Sequence, residues 1–158
     1  MPATNARENI LEAVKEKLET LSKANGYQNN IGLVERSFRP FDKVAPNEFP
    51  YVGILDDGSE TNLNDWGGQA GDTTVRADID LRLVGYYHET DPLELSGGFN
   101  RFKADLDKLF WAGNVLPGTQ ADDIQLTAWE AIVTLEDIGI IYFQAVLRIR
   151  YWFLKLNP

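Results

Sequence analysis

The sequence predicts an α+β fold, a mainly antiparallel sheet of about five strands with two helices packed on one face. Three observations carry this. Two segments have apolar residues at helical spacing, and several others alternate apolar and polar side chains at the two-residue period of half-buried strands. The third is the order, α-β-β-β-α-β-β, in which strands mostly follow one another instead of alternating with helices.

The strongest strand signal is at the end of the chain, from Ile138 to Phe153. Phe143, Ala145, Leu147, Ile149, Tyr151 and Phe153 share one face; Gln144, Val146, Arg148, Arg150 and Trp152 share the other. Aromatic and β-branched residues in that alternation fit a pleated surface with one side in a core. Upstream, Asn5 to Ala24 places Ile10, Leu11, Val14, Leu18 and Leu21 on one helical stripe. Asn5 suits the N-cap, with Glu8 at capping-box spacing, and Asn25-Gly26 suits the stop.

Ile31 to Phe38 reads as a short strand broken by Arg39-Pro40, and Tyr51 to Leu55 as a second one. Thr74 to His88 is a long strand. Val75, Ala77, Ile79, Leu81 and Leu83 face one way, and Arg76, Asp78, Asp80 and Arg82 the other. Ion pairs of Asp78 or Asp80 with Arg148 or Arg150 would suit neighbouring antiparallel strands. Pro92 to Trp111 reads as the second helix, capped by Asp91. Its Gly97-Gly98 pair would allow close approach to the sheet. In the strand Ile124 to Leu135 the alternation changes phase after Ala128, which predicts a bulge or bend. Glu136 to Gly139 then turns into the last strand.

The chain, a single domain by length over residues 1–158, has one irregular stretch, Asp56 to Thr73, rich in Gly, Asn and Asp and containing Trp66. A loop of this length in a compact domain is functional or disordered. It is expected to dock outside its own subunit, with Asp56, Asp57, Trp66 and Asp72 as contacts. Arg148, Arg150 and Trp152 on the last strand are the other interface candidates.

Residue chemistry points away from catalysis. The chain has no cysteine and one histidine, His88. No Gly-x-Ser-x-Gly elbow or phosphate-binding loop is present, and Asp56-Asp57-Gly58-Ser59-Glu60 lacks calcium-loop spacing. No catalytic, metal-binding or cofactor-binding residue is assigned, and no cofactor is expected. No apolar run approaches the roughly 18 residues that span a bilayer, so a membrane partner is not expected. The net charge of −9 disfavours binding to nucleic acid.

The whole chain resembles the tail terminator (minor tail protein U-like, tail completion) family of long-tailed bacteriophages. The stretches that carry the resemblance are Ala24-Asn25-Gly26-Tyr27, Ile31 to Arg36, Phe49 to Ile54, the Arg76 to Tyr87 strand, the Asp91-Pro92 helix closing in Leu109-Phe110-Trp111, and the last hairpin. The resemblance implies a virion protein of tail and neck, assembled in the bacterial cytoplasm as a homo-oligomeric ring, usually a hexamer, on the finished tail tube. Its implied partners are further copies of itself, the tail tube protein and a head-to-tail connector or neck protein. Genomic DNA would only pass through the lumen; the net charge of −9 separately suggests an acidic lining that would repel it. Another neck or head-completion protein is the nearest alternative, and a small-ligand-binding module with a pocket near His88 and Asp91 a more distant one.

Overall fold

The computed structural model describes residues 3–62, 74–111, 116–133 and 139–154. The chain forms α1 (Ala3–Glu19), β1 (Leu33–Glu35), β2 (Tyr51–Leu55), β3 (Glu60–Asn62), β4 (Thr74–His88), α2 (Leu95–Trp111), β5 (Ala121–Val133) and β6 (Ile140–Leu154). Short 3-10 turns lie at Lys23–Asn25, Phe41–Lys43, Pro46–Glu48 and Pro92–Glu94.

The fold is mixed α+β, with one six-stranded sheet in the order β1-β2-β4-β6-β5. β3 is added to β4 beside β2, because β2 meets residues 82–86 of β4 and β3 meets residues 77–79. All pairings are antiparallel except β1 with β2, which run parallel. β4 and β6 pair along their whole lengths, from Thr74 opposite Leu154 to His88 opposite Ile140.

Both helices lie on one face. Ile10, Leu11, Val14 and Leu18 of α1, with Phe99, Phe102, Leu106 and Leu109 of α2, pack on Ala77, Ile79, Leu81 and Leu83 of β4 and on Phe143, Leu147, Ile149 and Tyr151 of β6. Burial of these alternating apolar faces is the main stabilising contribution to the fold. The opposite, open face carries Arg76, Asp78, Asp80 and Arg82 of β4 and Gln144, Arg148, Arg150 and Trp152 of β6, as the alternation requires.

Several boundaries differ from the sequence reading. α1 begins at Ala3, so Asn5 lies inside it. Glu8 accepts hydrogen bonds from Arg36 (Nη2 to Oε2 3.1 Å) instead of closing a capping box. The helix ends at Glu19, and Gly26, with φ of 87°, closes the following 3-10 turn. The strand expected over Ile31 to Phe38 is only Leu33–Glu35. The irregular stretch contains β3 at Glu60–Asn62, an extra strand that its polar residues did not announce. A strand this short is held by its ladder to β4, not by an apolar face of its own.

A second apolar cluster lies on the open face at one end of the sheet. There Val44, Tyr51, Tyr86 and Ile140 are buried, with Leu33, Phe41, Phe49 and Tyr142 packed against them. Residues 38–49 cross over this end of the sheet and cover it, so only its other end is left open.

The bulge falls where the phase change predicts it. Pairing of β5 with β6 slips between Thr127 and Glu130, and Ala128 has φ of 53°. Beyond the surplus residue, Trp129 lies on the helix face, with ring centroids 6.0 Å from Phe143 and 6.4 Å from Phe99. A second slip lies between Ala121 and Asp123.

Candidate functional site

The open end of the sheet is a lattice of charges. Arg148 grips Asp80 through Nε–Oδ1 and Nη2–Oδ2 contacts of 2.9 and 3.0 Å. Arg150 grips Asp78 at 3.0 and 3.4 Å. These are the cross-strand pairs that the two alternating strands predict, and the register places each pair directly opposite. Arg82 reaches Asp57 at 3.8 Å and Arg76 reaches Asp122 at 3.5 Å. Hydrogen bonding to Arg148 lowers the pKa of Asp80 below the usual carboxylate value.

The candidate interface residues therefore separate. Asp57, Arg148, Arg150 and Trp152 come together on the open face. Asp56 turns to the helix side, where Arg7 of α1 donates to it (Nε to Oδ2 3.0 Å) and the Gly58 N–H donates at 2.9 Å. That pairing holds Asp56 below its ordinary pKa and raises that of Arg7. Arg7 also approaches Glu60, which accepts the hydroxyl hydrogen of buried Tyr151. Residues 56–62, expected to dock elsewhere, thus spend these polar groups within their own subunit. Trp66 and Asp72 lie outside the described residues.

Arg7, Glu60 and Tyr151 were not singled out by the sequence. Tyr151 sits in a buried alternation where a phenol needs a polar partner, and that was the available signal. Burial pushes its pKa upward, with Glu60 adding to the effect.

At the covered end, Tyr51 donates to Glu35 at 3.0 Å and accepts the Arg39 N–H at 2.9 Å; Tyr86 donates to the Arg39 carbonyl at 2.8 Å. Burial raises both phenols to about 12, so both are neutral near pH 7. His88 packs against Phe49, with ring centroids 5.5 Å apart. It lines none of the four grooves described on this molecule.

Beside this cluster, a groove of about 230 Å³ is lined by Phe38, Val84, Tyr86, Ile132 and Tyr142. Phe38 is 49% exposed, and Ile132 and Val133 at the end of β5 are each 61% exposed. A larger groove, about 910 Å³, runs between the second half of α2 and residues 123–127 of β5.

Neither a protein-family model nor a curated protein matches this chain. Among the described residues, no group of three or more His, Asp or Glu side chains could hold a metal ion, and no helix is long and apolar enough to cross a membrane. The arrangement offers surfaces: a charged sheet face, an apolar patch at the sheet end and an outer strand edge.

Proposed function

We propose that this chain is a structural virion protein, the tail terminator of a long-tailed bacteriophage. In this reading copies of it form a ring, usually a hexamer in that family, on the finished tail tube. The ring ends tube polymerisation and joins the tail to the neck. The family resemblance motivates the reading, and one observation gives it the most support: Phe38 and Ile132 stand exposed together along one groove at the end of the sheet. Contiguous exposed apolar side chains mark surface that an assembly covers.

A patch that meets a different surface of the next copy makes a heterologous contact. Such contacts close into rings when the rotation permits. The net charge of −9 suits a ring through which DNA passes without adhering.

Light scattering on the purified protein, and negative-stain microscopy of the protein mixed with tail tubes, test the reading. Ring-sized particles capping tube ends are expected. A protein that stays monomeric and leaves tubes uncapped would sink it.

A further inference from the structure

β5 is the last strand of its sheet, and among the described residues it pairs only with β6. Its first half lines the large groove with five consecutive residues, Asp123 to Thr127. Ile124 and Leu126 face the helix side, where Phe110 and Trp111 form the opposite wall. Gln125 and Thr127 face the open side. An extended chain laid here would meet backbone donors and acceptors along one edge, an apolar wall on one face and polar groups on the other.

The charge at the rim selects among such chains. Asp107 accepts the Trp129 indole N–H at 3.3 Å, and Asp123 accepts the Gln125 amide at 3.4 Å. Neither has a cation within ion-pair distance among the described residues, and Arg150, opposite Asp123 in the ladder, attracts it only from beyond that distance. The one cation lining the groove, Lys108, is turned toward the Gly26 carbonyl at 3.0 Å and the Tyr27 ring at 5.0 Å. The groove lining therefore carries two carboxylates against one lysine that is turned away, beside an apolar wall.

We propose that this groove receives an extended segment of a partner protein that alternates apolar and basic side chains and adds as a strand to β5. Main-chain pairing supplies affinity in this mode, and alternate side chains supply the choice of partner. The inference stands on the β5 edge alone and does not require the ring.

The test uses the full chain and two short synthetic peptides, one alternating lysine with valine and one alternating glutamate with valine. Calorimetry should give saturable binding of the lysine peptide, with Kd on the order of 100 µM. Hydrogen exchange should slow at Asp123 to Thr127. The Asp107→Lys/Asp123→Lys double variant should weaken binding about tenfold, since attraction at the rim becomes repulsion. Glu16→Lys on α1 should leave binding unchanged.

Equal affinity for the glutamate peptide, no protection of β5, or equal loss in the Glu16→Lys variant would overturn the proposal. So would a dimer that the double variant abolishes, because that would assign the groove to a second copy. Tube capping is read separately, so this test and that of the tail-terminator reading can fail independently.

Discussion

Gly98 of α2 lies so close to Tyr87 of β4 that an added Cβ would stand 2.3 Å from the phenolic oxygen. Tyr87 is buried and stacks on Phe102 with centroids 5.6 Å apart, so the ring has little room to yield. Gly97, one residue earlier, faces outward, where a Cβ would meet only the side-chain ends of Arg101 at 3.5 Å and Glu94 at 4.0 Å. Adjacent glycines in one helix should therefore respond oppositely. Gly98→Ala is expected to destabilise by roughly 1–3 kcal/mol through overpacking. Gly97→Ala is expected to stabilise by about 0.5–1 kcal/mol, the gain in helix propensity. Urea denaturation of the two variants measures both signs.

Asp105 is a carboxylate at 2% exposure on the buried stripe of α2. It accepts the N–H groups of Gln28 and Asn29 and the Asn29 side-chain amide, at 2.8 to 3.1 Å. These bonds tie the loop after α1 to the second helix. Asp105→Ala would strand the buried donors and should cost about 2–4 kcal/mol. Asp105→Asn keeps an acceptor oxygen and should cost less. Equal losses in chemical denaturation would count against the hydrogen bonds as the cause.

The ion-pair lattice and the core beneath it should separate in size. Arg148→Ala removes an exposed pair and should shift stability by less than about 1 kcal/mol. Leu147→Ala, one residue earlier on the buried side, should cost about 2–5 kcal/mol. Thermal or urea unfolding of both variants compares the two sides of one strand.

Acid should loosen the junction between α1 and the β2–β3 segment. Arg7 depresses the folded-state pKa of Asp56 below the ordinary carboxylate value. A depressed carboxylate contributes stability that is present above its unfolded pKa and is lost as pH falls through the folded one. The urea midpoint should therefore decline on acidification below about pH 4. In Arg7→Met that decline should be shallower, and a parallel pH profile would contradict the linkage.

For the assembly reading, Ile132→Asp places a charge in the apolar patch at the sheet end. The monomer should keep its circular dichroism spectrum, because Ile132 is 61% exposed. Ring-sized particles should disappear in light scattering at concentrations where the unaltered chain forms them. Persistence of those particles would remove the patch from the subunit contact.

Much of the sheet could be read from residues because its pattern is local. The alternation over Thr74 to His88 and the short, mostly apolar run Tyr51 to Leu55 give the strand bounds that the structure has. The phase change at Ala128 marks the bulge, and the opposed Asp and Arg sets give the cross-strand pairs. What escaped depends on distant contacts. β3 has no apolar period, and nothing local marks β1 as the one strand that pairs in parallel within a mainly antiparallel sheet. Phe38, Phe41 and Phe49 sit in a segment with Pro breaks, and nothing in their spacing says that they cover the open face. Asp105 did carry a sign: an acidic residue between Phe102 and Leu106 on an apolar stripe requires buried donors.

The surplus residue at Ala128 has a further effect on the outer strand. Leu126 and Trp129 would keep their sides if Ala128 were removed, since both already point toward the helices. The bulge is therefore not needed for the pattern of burial. What it does is interrupt the outermost row of backbone groups midway along β5, limiting the length over which a stray strand could zip onto it. Excising one alanine would leave the core intact and straighten that row, and the variant's hazard would be fibrillar precipitation instead of unfolding.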